Sequence, residues 1–148
     1  MQISGRWVVP VMIAAALVST PAIGAAQPPG RVASSVHVST SPGGGGTTTE
    51  FTSLSVRAIP AGATLVVTCD GDVCPFRSKS IDYAVAQPEV QLAALFGKSK
   101  LPVGTTIVVR VTKPNTIGKV FEWTVQRSKQ PTLTTRCLRP GADKPTAC

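Results

Sequence analysis

The sequence predicts an all-β protein: a small antiparallel β-sandwich with one short helical crossover. Three observations predict it. From Leu54 onward apolar residues recur with a period of two, the pattern of a strand with one buried face. Gly, Pro, Asn and Asp interrupt these runs roughly every eight to twelve residues, the spacing of sandwich strands. No run of helical period is long enough to link parallel strands in an α/β unit.

Each element follows from its own residues. In "EFTSLSVRAIP", Leu54, Val56 and Ala58 alternate with polar neighbours until Pro60 stops the run. "PAGA" is a turn, and "ATLVVTC" then sets Leu65, Val67 and Cys69 on one face. "SIDYAVA" groups Ile81, Tyr83 and Val85. In "PEVQLAALFGKSKLPVG", Leu92, Leu95 and Phe96 have helical spacing and Gly97 ends them, which predicts the short helical crossover. "TTIVVRVT" points Ile107, Val109 and Val111 inward, "KPNTIG" turns the chain, and "KVFEWTVQR" returns with Phe121, Trp123 and Val125 inward. One short strand before Cys137 and a cystine loop complete the expectation of five or six strands.

The first residues, MQISGRWVVPVMIAAALVSTPAIGAAQ, have the layout of a secretory signal. Arg6 supplies the positive start, residues 7–18 are apolar apart from Pro10, and Ala22, Gly24 and Ala26 offer cleavage positions. About twelve apolar residues fall short of the roughly twenty that span a bilayer. Residues 1–26 are therefore expected to be a signal peptide, and no cysteine follows the cleavage point to carry a lipid anchor. Residues 27–49 are rich in Gly, Pro, Ser and Thr and are expected to be a flexible linker. Residues 50–148 form the expected domain. About 120 residues after cleavage suit one domain.

Export bears on the cysteines. Thiols outside the cytosol tend to be oxidised, and Cys69, Cys74, Cys137 and Cys148 are even in number. Their spacings, C-x4-C and C-x10-C, are neither the C-x2-C of a typical zinc site nor a thioredoxin-type redox pair. Three connectivities are possible. The local one, Cys69–Cys74 with Cys137–Cys148, is expected because each pair closes a loop of turn-forming residues.

Catalytic chemistry finds little to work with. His37 is the single histidine and falls in the expected linker, so a Ser-His-Asp arrangement would sit on a mobile segment. The seven carboxylates place no pair together on one strand face, as general acid–base work would require. Asp70 and Asp72 of "CDGDVC" supply too few oxygens for calcium and suit a turn. No enzyme activity, cofactor or metal is expected.

Charge is unevenly distributed. Residues 27–97 carry four basic side chains against five acidic ones, whereas residues 98–148 carry ten against two. Such asymmetry suits contact with an anionic polymer. Lys98 and Lys100 precede the strand from Thr105, and Lys113 and Lys119 follow it, roughly 25–30 Å away at about 3.3 Å per residue. The returning strand brings Arg127 and Lys129 back to the first end. Lys98, Lys100, Arg127 and Lys129 are therefore the candidate anion-binding cluster. Arg110 is expected to pair with Glu122 across the hairpin.

Three segments together carry a resemblance: "CDGDVCP", then the run from "LFGK" through "LPVGT" to "VRVTKPNTIGKV", then "CLRPGADKPTAC". Together they resemble a poorly characterised, immunoglobulin-like β-sandwich domain of secreted bacterial proteins. That domain occurs alone after a signal peptide or at the end of larger surface proteins. The resemblance implies an extracellular sandwich and transfers no enzyme activity. The expected function is a secreted, non-enzymatic binding or structural module at the bacterial cell surface, with anionic envelope polymers as candidate partners. The alternative is a soluble inhibitor or effector that binds an extracellular protein through the loop between Cys137 and Cys148. Neither specific nucleic-acid binding nor a membrane span after cleavage is expected.

Overall fold

The structure, a computed structural model, describes residues 27–148, so the expected signal peptide lies outside the described residues. Its strands are β1 (Ser35–Pro42), β2 (Thr48–Ile59), β3 (Ala63–Asp70), β4 (Ser78–Tyr83), β5 (Gln87–Gln91), β6 (Leu101–Pro102), β7 (Thr106–Thr112), β8 (Gly118–Thr124) and β9 (Thr132–Leu138). A single helical turn, α1 (Ala93–Phe96), follows β5. One sheet has the order β1-β2-β5, with β6 also on β2; the other has the order β4-β3-β7-β8-β9. Every ladder is antiparallel. The chain changes sheet between β2 and β3, returns between β4 and β5, and changes again before β7. This is the Greek-key connectivity of an immunoglobulin-like sandwich.

The core follows from the period of two. In β3, Leu65, Val67 and Cys69 are buried, and the register sets them opposite Val111, Val109 and Ile107 of β7. Phe121 and Trp123 of β8 continue that face, and Phe51, Leu54, Val56 and Ile59 of β2 close it from the other sheet. Each fully buried aliphatic side chain contributes about 1.5–3 kcal/mol. The helical spacing of Leu92 and Phe96 yields one turn ended at Gly97, whose φ is 56°. Both side chains are buried, and the Phe96 ring lies 5.3 Å from Phe51 and 5.2 Å from Phe76.

Several local expectations are corrected. Strand β2 does not keep one alternation. Its register against β1 shifts between Ser39 and Thr40, so that Thr40 pairs with Phe51 and Ser39 with Ser53. A bulge of this kind moves the inward face from odd to even positions, which is why Phe51 and Leu54 are both buried. Near the strand end Ala58 has φ 55° and is exposed, and Ile59 takes the inward place expected for Ala58. Val85 lies past β4 and is exposed, leaving Ile81 and Tyr83 half-buried.

The largest correction concerns residues 27–49. They were expected as a flexible linker, yet β1 lies within them and pairs with β2 along its whole length. Val32 and Ser34 are buried, Val36 and Val38 pack on the core, and the Ser34 hydroxyl donates to the Ala58 carbonyl at 2.8 Å. Just before β1, Val32 N–H donates to Ile117 O and Ile117 N–H donates to Gly30 O. The physical reason is that β2 offers a long edge whose backbone groups need partners. Ser and Thr serve that purpose as well as apolar residues do.

Candidate functional site

Cystine chemistry is the first candidate to resolve. Cys69 bonds Cys74 and Cys137 bonds Cys148, with Cα atoms 5.7 and 4.9 Å apart. Cys69 ends the buried face of β3, and Cys74 N–H donates to Gly71 O, closing the turn expected for "CDGDVC". Asp70 pairs with Arg77 across that loop at 3.6 Å, both side chains exposed. Among the described residues there is no free cysteine, and no group of three or more His, Cys, Asp or Glu is placed to hold a metal.

The four candidate cations sit in two loops. Lys98 and Lys100 lie between α1 and β6; Arg127 and Lys129 lie between β8 and β9; all four are exposed. Backbone pairing draws both loops to one place. Leu101 pairs with Thr49, and Val103 N–H donates to Thr47 O. From the other side Ser128 N–H donates to Gly46 O at 2.8 Å. Gly46 has φ 68°, and a Cβ there would collide with the Ser128 side chain, so glycine is what permits this approach.

Thr49 pairs with Leu101 on one edge of β2 and with Pro42 of β1 on the other. Val125 N–H donates to Thr105 O and Gly104 N–H to Val125 O, so the loop after β8 leaves from beside the segment that follows β6 and reaches Gly46. The result is a band across one end of the sandwich. Lys129 also lines a cleft with Thr40, Pro42, Gly46 and Thr49, whereas the other three cations stand outside it. No cation of residues 98–148 has a carboxylate within 4.0 Å: the ion pairs among the described residues are Arg57–Glu89 and Arg77–Asp70. The expected Arg110–Glu122 pair is not formed, because Arg110 stands opposite Val120 and Glu122 opposite Val108.

A second polar cluster lies where sequence reasoning did not look. On the outer face of the β1-β2-β5 sheet, His37 stands opposite Ser55, and Ser55 stands opposite Gln91. Arg57 reaches Glu89 at 3.5 Å, and Gln91 Nε2 donates to Glu89 Oε1 at 3.3 Å. The Ser55 hydroxyl is fully buried without a completed hydrogen bond. The adjacent Glu89 carboxylate feels it: Ser55, ahead of Arg57 and His37, holds the Glu89 carboxyl below its ordinary value, against partial desolvation. The alternation of Val36, His37 and Val38 is the signal that would have placed His37 on a strand.

Serine, histidine and carboxylate thus meet on one face, but not in the order that activates a nucleophile. The Ser55 oxygen is buried without a hydrogen-bond partner, so it is neither activated by a base nor exposed to a substrate. What the cluster does chemically is seat Glu89 over a buried hydroxyl.

No family model, curated protein or solved structure matches this chain. Its reading rests on its own residues. The two disulfides fit an extracellular protein. Among the described residues no helix is long and apolar enough to cross a membrane.

Proposed function

We propose that the protein is a secreted, non-enzymatic binding module of the bacterial cell surface, and that it contacts anionic envelope polymers through Lys98, Lys100, Arg127 and Lys129. The observation that carries this reading is the band of four exposed cations without carboxylate partners, drawn to one end of the sandwich by Leu101–Thr49 pairing and the Ser128–Gly46 hydrogen bond. A band spread over two loops suits a ligand with repeated charges better than a single small anion. The charge asymmetry and the two cystines support the same reading. Retention on immobilised polyphosphate tests it. Binding should weaken steeply with salt, since contacts between exposed charges are screened over about 8–10 Å. The combined change of Lys98, Lys100, Arg127 and Lys129 to Gln should abolish it. Retention that ignores salt, or that survives the fourfold change, rejects the reading.

A second reading has its own observation. The loop between Cys137 and Cys148 is held twice at its base, by the disulfide and by reciprocal backbone hydrogen bonds between Cys137 and Thr146. A loop so anchored could present Arg139 and Lys144, both exposed, to an extracellular protein as an inhibitor would. Scrambling residues 139–144 should then remove inhibition of the target and leave polyphosphate retention intact.

A further inference from the structure

We infer that the free edge of β9 is a strand-addition site for an extended acidic peptide, a second binding function independent of the cationic band. Strand β9 forms the edge of its sheet, and Thr132, Leu133, Thr134, Thr135 and Arg136 are all exposed, Leu133 to 43%. The opposite sheet therefore does not cover it. Its one ladder, to β8, runs without a register break from Gly118↔Leu138 to Thr124↔Thr132.

The chain itself shows which backbone groups face outward. Cys137 N–H donates to Thr146 O at 2.9 Å, and Thr146 N–H donates to Cys137 O at 2.8 Å. Both polar groups of Cys137 thus point away from β8. In an unbroken antiparallel strand outward and inward residues alternate, so the N–H and C=O of Thr135 and Leu133 also point outward. Thr146 occupies the first register position on this edge; Cys148 lies near the second, at Thr135, but neither Thr135 nor Leu133 makes a backbone hydrogen bond on this side among the described residues. Thr132 to Thr135 carry neither charge nor proline, the devices that guard exposed edges elsewhere, such as Lys79 on β4 and Pro88 on β5. Three threonines and a leucine also fit a pleated strand well.

Charge selects the occupant. Side chains of an added strand alternate between the two faces of the sheet. On the inner face, Arg31 and Lys119 line a cleft with Thr135 and the Cys137–Cys148 cystine. On the outer face stands Arg136. None of these three cations has a carboxylate within 4.0 Å among the described residues; Lys119 Nζ donates to the neutral carbonyl of Ser34 at 2.9 Å. Carboxylates on either face of an incoming strand meet a cation, and an apolar side chain beside them meets Leu133. A second copy of β9 would bring Arg136 and no carboxylate to an edge already flanked by cations. An acidic peptide is the occupant that answers both the open hydrogen bonds and the unbalanced charge.

The test titrates the intact protein with the capped peptide Thr-Glu-Val-Glu-Val-Glu-Thr, following the amides of residues 132–136 by nuclear magnetic resonance. Perturbations confined to β9 and its flanking cations are expected. Methylating alternate peptide nitrogens leaves the charge unchanged and removes the ladder bonds. It should weaken binding at least fivefold, a net hydrogen bond being worth about 1 kcal/mol. Thr135→Pro deletes a donor that β8 does not use, so the fold should stand while peptide binding falls about fivefold. The same variant should keep polyphosphate retention, and the fourfold Gln variant of the cationic band should keep the peptide. Equal binding of the methylated peptide, or of polyphosphate at the same edge, would show a purely electrostatic surface and overturn the proposal. So would a dimer joined through β9 in analytical ultracentrifugation, or no binding up to millimolar peptide.

Discussion

Val36 of β1 stands opposite Val56 of β2, one rung of a ladder that holds the first strand of the sandwich in place. Val56 is fully buried and Val36 packs on the core beside Val38. Removing residues 27–42 should therefore destabilise the domain by about 3 kcal/mol, the burial of Val32 and the partial burial of two further valines. Chemical denaturation of the full and shortened chains measures this. An unchanged midpoint would return residues 27–42 to the role of a spacer.

The cystines should contribute through the unfolded chain. Short loops of this size are worth roughly 2–3 kcal/mol each in the chain-entropy account. Removing the Cys137–Cys148 bridge should cost somewhat more than removing Cys69–Cys74, because it closes the longer loop while Cys69 and Cys137 are both buried. Alkylation before and after reduction, read by mass spectrometry, should label no sulfur in the native protein and four after reduction.

Trp123 is fully buried, and its indole N–H has no hydrogen-bond partner. It packs against Phe121 with ring centroids 6.5 Å apart. Its fluorescence should be blue-shifted in the native state and move to the red on unfolding. Trp123→Ala should cost about 3–5 kcal/mol as a cavity opens. Trp123→Phe should cost much less, since it also removes an unsatisfied buried donor. Equal losses in the two variants would mean the indole is not packed as described.

Glu89 sets an acid dependence whose sign can be worked out. Its pKa is lowered from 4.5 in the folded protein, first by Ser55 and then by Arg57 and His37, against desolvation. The unfolded chain thus binds the proton more readily. Stability from this group is present above about pH 4.5 and is lost as pH falls through the lower, folded value. Glu89→Gln should flatten that part of the acid-stability curve by removing the stabilisation present above pH 4.5, so the two proteins should differ at neutral pH and converge in acid. A wild-type slope below pH 4.5 that survives the substitution would place the effect elsewhere.

How far the fold could be read in advance depended on where each element finds its partners. Strands β3, β7 and β8 were legible because their alternation is strict and one face is wholly buried. The helical turn at Ala93–Phe96 was legible from three apolar residues ended by glycine. The opposite case is β1. Five of its eight residues are Ser, Thr or Pro, and what orders it is the edge of β2, whose paired residues lie 7 to 22 positions further on. The bulge opposite Ser39 and Thr40 was hidden for a similar reason, since a register shift belongs to a pair of strands and not to either alone. The candidate band was half legible. Strand length is what pointed Arg127 and Lys129 toward Lys98 and Lys100, whereas the backbone bonds that hold the two loops, Leu101 with Thr49 and Ser128 with Gly46, join residues far apart in the chain.

Local chemistry in the sequence was enough for the class of fold, the inward faces of the central strands and the pairing of the nearest cysteines, because each depends on neighbours a few residues apart. The tertiary structure alone decided that residues 35–42 are a strand, that Ser55 is sealed beneath Glu89 and His37, and that β9 keeps an open edge at Leu133 and Thr135. Those features depend on which distant backbone supplies a hydrogen bond and which sheet covers a side chain. A chain carries that information in its assembled register and not in the spacing of its residues.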